Sequence, residues 1–242
     1  MDLTFILVLI VIFIAAMSRA TFGFGDALIA MPLLALFISI KTATPVVAVM
    51  GMTISIAILY GDWRQIKFKA IWQLVVFSII GIPIGLIFLK GAAEEVVKLS
   101  LAFVLIIFGS YKSFRPDLFI FKSDIFASLF GIISGILGGA YNTNGPPIII
   151  YGTLRQWKPE KFRAILQGVF FPTNFFIIMG HGMAGLWTEK VWHLMLFSFP
   201  VIFLAILIGN KLNKIIPAER FSKYVYLFLI IIGFVLMFIV LF

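Results

Sequence analysis

Long apolar runs, separated by short and mostly basic segments, take up nearly all of this chain. Read as helices, they predict spans over Pro45–Tyr60, Ala70–Leu89, Val96–Tyr111, Ala164–Met179, Val191–Ile208 and Tyr224–Phe242. Four shorter pieces flank two interruptions. Leu3–Met17 and Ala27–Ile40 lie either side of SRATFGFGDALIAMPLL, residues 18 to 34, and each would make only about 20 Å of helix against about 30 Å of hydrocarbon. Ile125–Leu137 leads into GGAYNTNGPPIIIY, residues 138 to 151, and a half-helix begins near Pro147. Glycines, asparagines and a Pro-Pro pair do not sustain a continuous helix. Non-helical backbone at membrane depth is tolerated only where protein surrounds it or water reaches it. The two interruptions therefore read as paired broken or re-entrant elements forming one central site.

The loops carry a second pattern. If each broken pair returns to the side it entered, Lys and Arg concentrate in the loops around Arg64, Arg115, Arg155 and Lys214. The positive-inside rule then puts those loops in the cytoplasm and both termini outside. The chain also repeats itself. Gly61-Asp62-Trp63 recurs as Gly185-Leu186-Trp187, Gly85 as Gly209, Lys90 as Lys214 and Gly109 as Gly233, all 124 residues on, while Gly25 aligns with Asn144 at 119. A returning pair plus three spans has odd parity, so the second copy is inverted relative to the first. The expected fold is an all-α polytopic membrane protein of two inverted-topology repeats, each a broken helix pair plus three transmembrane helices. The first repeat covers residues 1–112, a cytoplasmic linker 113–123 and the second repeat 124–242. Secondary transporters have this architecture, with the breaks meeting near the midplane and the halves rocking to give alternating access.

Composition narrows the class further. The 242 residues are 62% hydrophobic, 16% aromatic and 12% charged, with a mean hydropathy of +1.16. That places the protein in the bilayer and leaves no room for a separate soluble domain. The net charge of +9 sits singly or in small groups between apolar runs, as in membrane loops, so nucleic acid is not an expected partner. With no Cys there is no disulfide, thiolate nucleophile or Cys metal site, and the His and carboxylate spacing forms no metal site either. The first segment lacks the basic start of a signal peptide and is expected to remain in the mature protein. The abundant Phe and Trp read as lipid-facing bulk and interface anchors rather than a cofactor box, and no cofactor is expected.

GFGDALIAMPLL, its counterpart SGILGGAYNTNGPPIIIYG and the Gly-x-Trp after the next span together resemble the sulfite exporter TauE/SafE family. The resemblance covers essentially the whole chain and both repeats. Two departures stand out: Asp26 where the family usually continues with glycine, and an Asn-Gly-Pro-Pro form of the second break. The resemblance implies a multi-pass protein of a prokaryotic plasma membrane that exports, or in some members takes up, sulfite, sulfonates or related small anions, coupled to protons. A homodimer is one assembly it admits.

The break residues are the candidates for binding. Half-helix N-termini near Gly25–Ala27 and Asn144–Pro147 offer free N–H groups and a positive dipole end to an anion. Gly23, Gly25 and Gly145 permit close backbone approach, and Thr21, Asn142, Thr143 and Asn144 add side-chain donors. Thr143 or Asn144 equally fits a helix cap, with Pro in the first turn. Arg19 is a cation inside a membrane segment, able to grip a sulfonate or carboxylate with two parallel hydrogen bonds. The alternatives for it are snorkelling to the outer face or a lock onto Asp26. Asp26 in turn either caps its half-helix or carries a coupled proton. Gln167 and Asn174, seven apart on a span kinked at Pro172, line a cavity or bond between helices. Thr53 and Ser78 read as packing residues, and His181 and His193 as residues of an outer interface.

The functional expectation is a secondary transporter of small anions, not an enzyme. Ser134-Gly135 with His181 invites a protease reading, but Ile132 stands where a Gly-x-Ser-Gly motif needs glycine, and no acid completes a triad. A passive anion channel, an uptake permease for another organic anion and an accessory subunit are the alternatives. The topology is directly testable, because the chain has no cysteine of its own. Arg155→Cys and Lys214→Cys should react with an impermeant maleimide only from the cytoplasmic side, and Lys190→Cys only from outside. Labelling of all three from one side would overturn the inverted arrangement.

Overall fold

The computed structural model describes residues 3–62, 68–114, 125–157, 159–215 and 218–241, and the regular elements among them are all helices. In order they are α1 (Leu3–Phe22), α2 (Asp26–Leu34), α3 (Ile40–Asp62), α4 (Phe68–Gly91), α5 (Glu94–Ser113), α6 (Phe126–Tyr141), α7 (Gly145–Leu154), α8 (Pro159–Met183), α9 (Glu189–Leu212) and α10 (Ala218–Leu241). Six of them, α1, α3, α4, α5, α8 and α9, are long and apolar enough to cross a membrane. Exposed apolar side chains recur at helical spacing on outward faces, as Trp72, Val76, Ile80, Ile84 and Ile87 do along α4. Such surfaces belong against lipid, so the protein is a multi-pass membrane protein. The loops around Arg64 and Arg115, Trp63 and nearly all of the 113–123 linker lie outside the described residues.

Both interruptions are narrower than the sequence pattern implies. α1 runs through Ser18 to Phe22, so it has the length to cross unaided, and the break is confined to Gly23-Phe24-Gly25. The reason is local. Thr21 satisfies its hydroxyl on the Met17 carbonyl within the helix (2.7 Å), and the chain turns only where Gly23 (φ 84°) and Gly25 (φ 101°) take left-handed conformations. Likewise α6 continues through Gly138 and Gly139 to Tyr141, and ends with Asn142 at φ 54° as its C-cap. Gly139 is helical because it packs directly on α4, where the Ile82 carbonyl occupies the place of a β-carbon.

Packing along the bundle depends on such close approaches. Gly81 and Gly85 of α4 lie on the α6 backbone, against Ile132, Ile136 and Ala140, while Gly131, Gly135 and Gly139 of α6 return the contact. The spacing resembles the small-xxx-small stripes that let membrane helices touch backbone to backbone. Gly209 of α9 meets α1 at the Met17 carbonyl and Thr21 nitrogen, as Gly85 meets α6 at the Ile136 carbonyl and Ala140 nitrogen. Gly109 of α5 meets Tyr226 and Ile230 of α10, and Gly233 of α10 meets Ala102 and Ile106 of α5. At one end of the bundle Ser39 bonds Glu94 (2.9 Å), Lys41 donates to the Lys90 carbonyl (3.1 Å) and Phe5 stacks beside His193. At the other, Arg163 donates to the Ala20 carbonyl (2.8 Å) and Lys112 to Thr153 (2.9 Å). The antiparallel pair α3 and α8 runs between these ends and carries the polar interior.

A methyl at Gly135 would fall on the Ser78 carbonyl, with both backbones in the way. Gly135→Ala should force α4 and α6 apart and cost about 1–3 kcal/mol, the usual range for overpacking. A lower thermal midpoint in detergent would show it, whereas Gly91→Ala, at an open helix end, should leave the midpoint unchanged.

Candidate functional site

The last turn of α1 points Arg19 inward, and the Gly23-Phe24-Gly25 turn brings Asp26 back beside it. Their charges meet at 2.6 Å between Nη1 and Oδ2, with the side chains 2% and 6% exposed. α3 and α8 close the other sides. Arg19 Nη2 donates to Ser55 Oγ (2.6 Å) and to Gln167 Oε1 (3.0 Å), and Ser55 donates to the same Gln167 oxygen (3.0 Å). The Gln167 amide nitrogen donates to the Gly23 carbonyl (2.6 Å), tying α8 to the break itself. The Phe170 ring lies 4.9 Å below the guanidinium, a cation–π contact. An unpaired ion here would be strongly disfavoured, and breaking such a buried pair from one side typically costs about 3–5 kcal/mol.

The cluster is not fully satisfied. Arg19 Nε and both polar atoms of Asn174 are buried and have no hydrogen-bond partner. Asn174 faces the ion pair across Gly51. A β-carbon at Gly51 would lie 2.8 Å from Arg19 Nη1, 2.9 Å from Asn174 Nδ2 and 3.2 Å from Asp26 Oδ2. Glycine thus gives the pair and the amide a shared space beside the α3 backbone. Buried polar groups without partners are uncommon, and these mark the interior beside Gly51 as a polar spot that water or a polar ligand can complete.

The second break lies close by. Phe24 to Leu28 and Thr143, Asn144, Gly145, Ile149 and Phe170 line one cavity of about 10 Å³, at the lower limit for a single water. The two interruptions therefore meet in the interior. Their chemistry differs, however. Pro146 and Pro147 occupy the first turn of α7 and have no N–H. That removes donors the sequence reading assigned to this helix end. The capping readings do not hold in the structure: neither α2 nor α7 has a side-chain cap. Asp26 is engaged with Arg19, Asn144 Nδ2 donates to Thr173 Oγ1 (3.1 Å), and Thr143 Oγ1 donates to the Tyr141 carbonyl (3.1 Å). Ser134 donates to the Asn144 carbonyl (2.7 Å), holding the turn.

Of the residues singled out in the sequence, Arg19, Asp26, Gln167, Asn174 and the Gly23 carbonyl form one cluster. Gly25, Ala27, Thr143, Asn144 and Gly145 line the small cavity beside it. Thr21 does not join them: its hydroxyl bonds within α1 and its carbonyl accepts from Asn213. Asn142 is buried but sits at the end of α6, outside the cavity lining. His181, expected at an interface, is wholly buried in the last turn of α8. Thr53 and Ser78 make local or interhelical bonds, to the Val49 and Gly131 carbonyls. Sequence reading missed Gly51, Ser55 and Phe170. The signal for the first two was present, since Gly51 and Ser55 stand four apart on one face of an apolar span.

Gly51→Ala should wedge the ion pair from Asn174 while leaving helix α3 intact. The expected result is a folded protein with a displaced Arg19 and at least a tenfold loss of anion binding, measured as ligand-induced thermal stabilisation. Wild-type stabilisation would mean that the space beside Gly51 is not used.

Comparison with known proteins bears on the family. A curated relative from Cupriavidus necator, named "Probable sulfite/organosulfonate exporter TauE", is 23% identical over 178 residues, covering 71% of this chain and 69% of its own length. No solved structure matches the chain. The family described as "Sulfite exporter TauE/SafE" matches residues 8–236. With nearly its whole length aligned, including both breaks and the helices that enclose Arg19, this chain belongs to the sulfite exporter TauE/SafE family.

Proposed function

We propose that the protein is a secondary transporter that exports small sulfur-containing anions, sulfite or organosulfonates, by proton-coupled alternating access. The observation that carries this reading is Arg19, a buried guanidinium beside a helix break, with its own counter-ion and an unpartnered amide on the same space. A family of exporters and a relative named for sulfite and organosulfonates supply the substrate class. In this reading Arg19 and Asn174 contact the anion, Gln167 positions Arg19, and Asp26 carries the proton. The 10 Å³ cavity is far too small for such an anion, so the elements around it have to part for substrate to enter.

The packing supports two inverted repeats, residues 1–112 and 124–242. Gly85 on α6 and Gly209 on α1 make matching contacts, and Gly109 and Gly233 exchange theirs across α5 and α10. Rocking of one half against the other would then open the site to each side in turn.

The test is flux in proteoliposomes loaded with sulfite, a taurine-like sulfonate or a carboxylate control, with and without a pH gradient. Saturable, gradient-driven flux of a sulfur anion is expected, and Arg19→Ala should reduce it at least tenfold. Because that variant leaves Asp26 unpaired in the interior, Arg19→Ala combined with Asp26→Ala serves as the folded control and should be equally inactive. Gradient-independent leak of many anions would replace the transporter with a channel.

A further inference from the structure

Resting on the transport reading, we infer that the Asp26 carboxylate is a built-in stand-in for the substrate, so that each anion crosses as a compact monoanion together with one proton moving in the same direction. The argument begins with space. Arg19 is engaged by Asp26, Ser55, Gln167 and the Phe170 ring, and the adjoining cavity holds about 10 Å³. A substrate that fills the Nη1 side of the guanidinium has to take the place the carboxylate now holds. Asp26 is 4% exposed, and its surroundings offer no second cation. Among the described side chains of α1, α2, α3 and α8 the other charged or titratable groups are Lys41 and Tyr60, near the two ends of α3, Arg163, held by the Ala20 carbonyl and Asn210, and His181, about 10 Å beyond Asn174 along α8. Of the described groups on α5, α9 and α10, Glu94, Glu95, Lys98, Glu189, Lys190 and His193 lie in the first two turns of their helices, Tyr111, Lys112 and Lys211 in the last, and Tyr226 packs on Phe108.

A carboxylate that leaves Arg19 in this interior has to leave neutral. The proton comes from the aqueous phase on the loading side, adds to an Asp26 oxygen, and returns to water on the far side when the carboxylate recaptures Arg19. No bond other than this O–H is made or broken. Empty, the site holds Arg19⁺ and Asp26⁻. Loaded, it holds Arg19⁺, the anion and protonated Asp26. Both states are neutral and can cross. Arg19⁺ alone, or Arg19⁺ facing two negative groups, leaves a net charge in low dielectric and is suppressed. The same balance excludes dianions. Arg19 Nε and the Asn174 amide, the unpartnered groups, are placed to take the oxygens of the incoming anion.

Methanesulfonate is the probe, because it stays monoanionic across the usable pH range. Purified protein in proteoliposomes, with an internal pH dye and the potential set by potassium and valinomycin, should move one proton per methanesulfonate with no response to voltage. One pH unit should sustain about a tenfold methanesulfonate ratio, higher on the alkaline side, so export through this site is driven by the substrate's own outward gradient. Ethane-1,2-disulfonate should be carried at least tenfold more slowly. Asp26→Asn should lose net flux by tenfold or more yet still exchange internal for external methanesulfonate, since only its loaded form is neutral. Voltage-driven methanesulfonate flux without proton movement would overturn the inference and leave the transporter standing, and this wild-type measurement decides even if the variant misfolds. Net flux at the wild-type rate in a folded Asp26→Asn protein would also overturn it. Absence of any sulfite or methanesulfonate flux in the wild type would remove the transport reading itself, and this inference with it.

Discussion

A guanidinium buried in a membrane protein must be compensated, and much of the interior is arranged to do so. Arg19 has a carboxylate at 2.6 Å, a hydroxyl, an amide oxygen and an aromatic face around it, drawn from α2, α3 and α8. Each partner is itself held. Gln167 is anchored to the Gly23 carbonyl, and the turn that delivers Asp26 exists because two glycines take left-handed conformations. The break in the first helix is thus a means of placing a counter-ion, seven residues from the charge it neutralises. Without that turn, Arg19 and Asp26 would sit two helical turns apart on one continuous rod, about 10 Å from each other along the axis.

Glycine does the corresponding work for the scaffold. The contacts of Gly85 and Gly209, and of Gly109 and Gly233, sit at the same offsets that the repeated sequence shows. Between helices in lipid there is little hydrophobic drive, so backbone proximity and dispersion take its place. Yet the two breaks that this scaffold holds differ in chemistry. The first carries a charge pair, while the second carries neutral amides and two prolines that strip hydrogen-bond donors from its half-helix. Shape is shared between the halves more closely than chemistry.

Much of this was legible in the sequence. The apolar runs and their spacing give the helices, and Gly23, Gly25 and the Asn-Gly-Pro-Pro segment mark the turns. Charge inside an apolar run singles out Arg19 and Asp26. The extent of each break was not legible, because Ser18 to Phe22 stay helical with Thr21 bonded back to the Met17 carbonyl, and Gly138 and Gly139 stay helical where α8 and α4 pack on them. Side-chain roles were also hidden where they depend on distant elements. Gln167 reaches Arg19 across 148 residues of chain, and Asn144 turns to Thr173 rather than to its own helix. Gly51 looks like an ordinary small residue in a span until the structure places Arg19, Asn174 and Asp26 around it.

The short separation of Arg19 and Asp26 also bears on how the chain enters the bilayer. α1 is very apolar apart from Arg19, which lies in its last turn and is made before the elements that later enclose it. Ser55 and Gln167 are made 36 and 148 residues later, but Asp26 follows within seven. The opposing charge is therefore available in the α1–α2 hairpin, before α3 and α8 are made. The pair that the completed bundle encloses is thus present in the chain before the helices that enclose it are made.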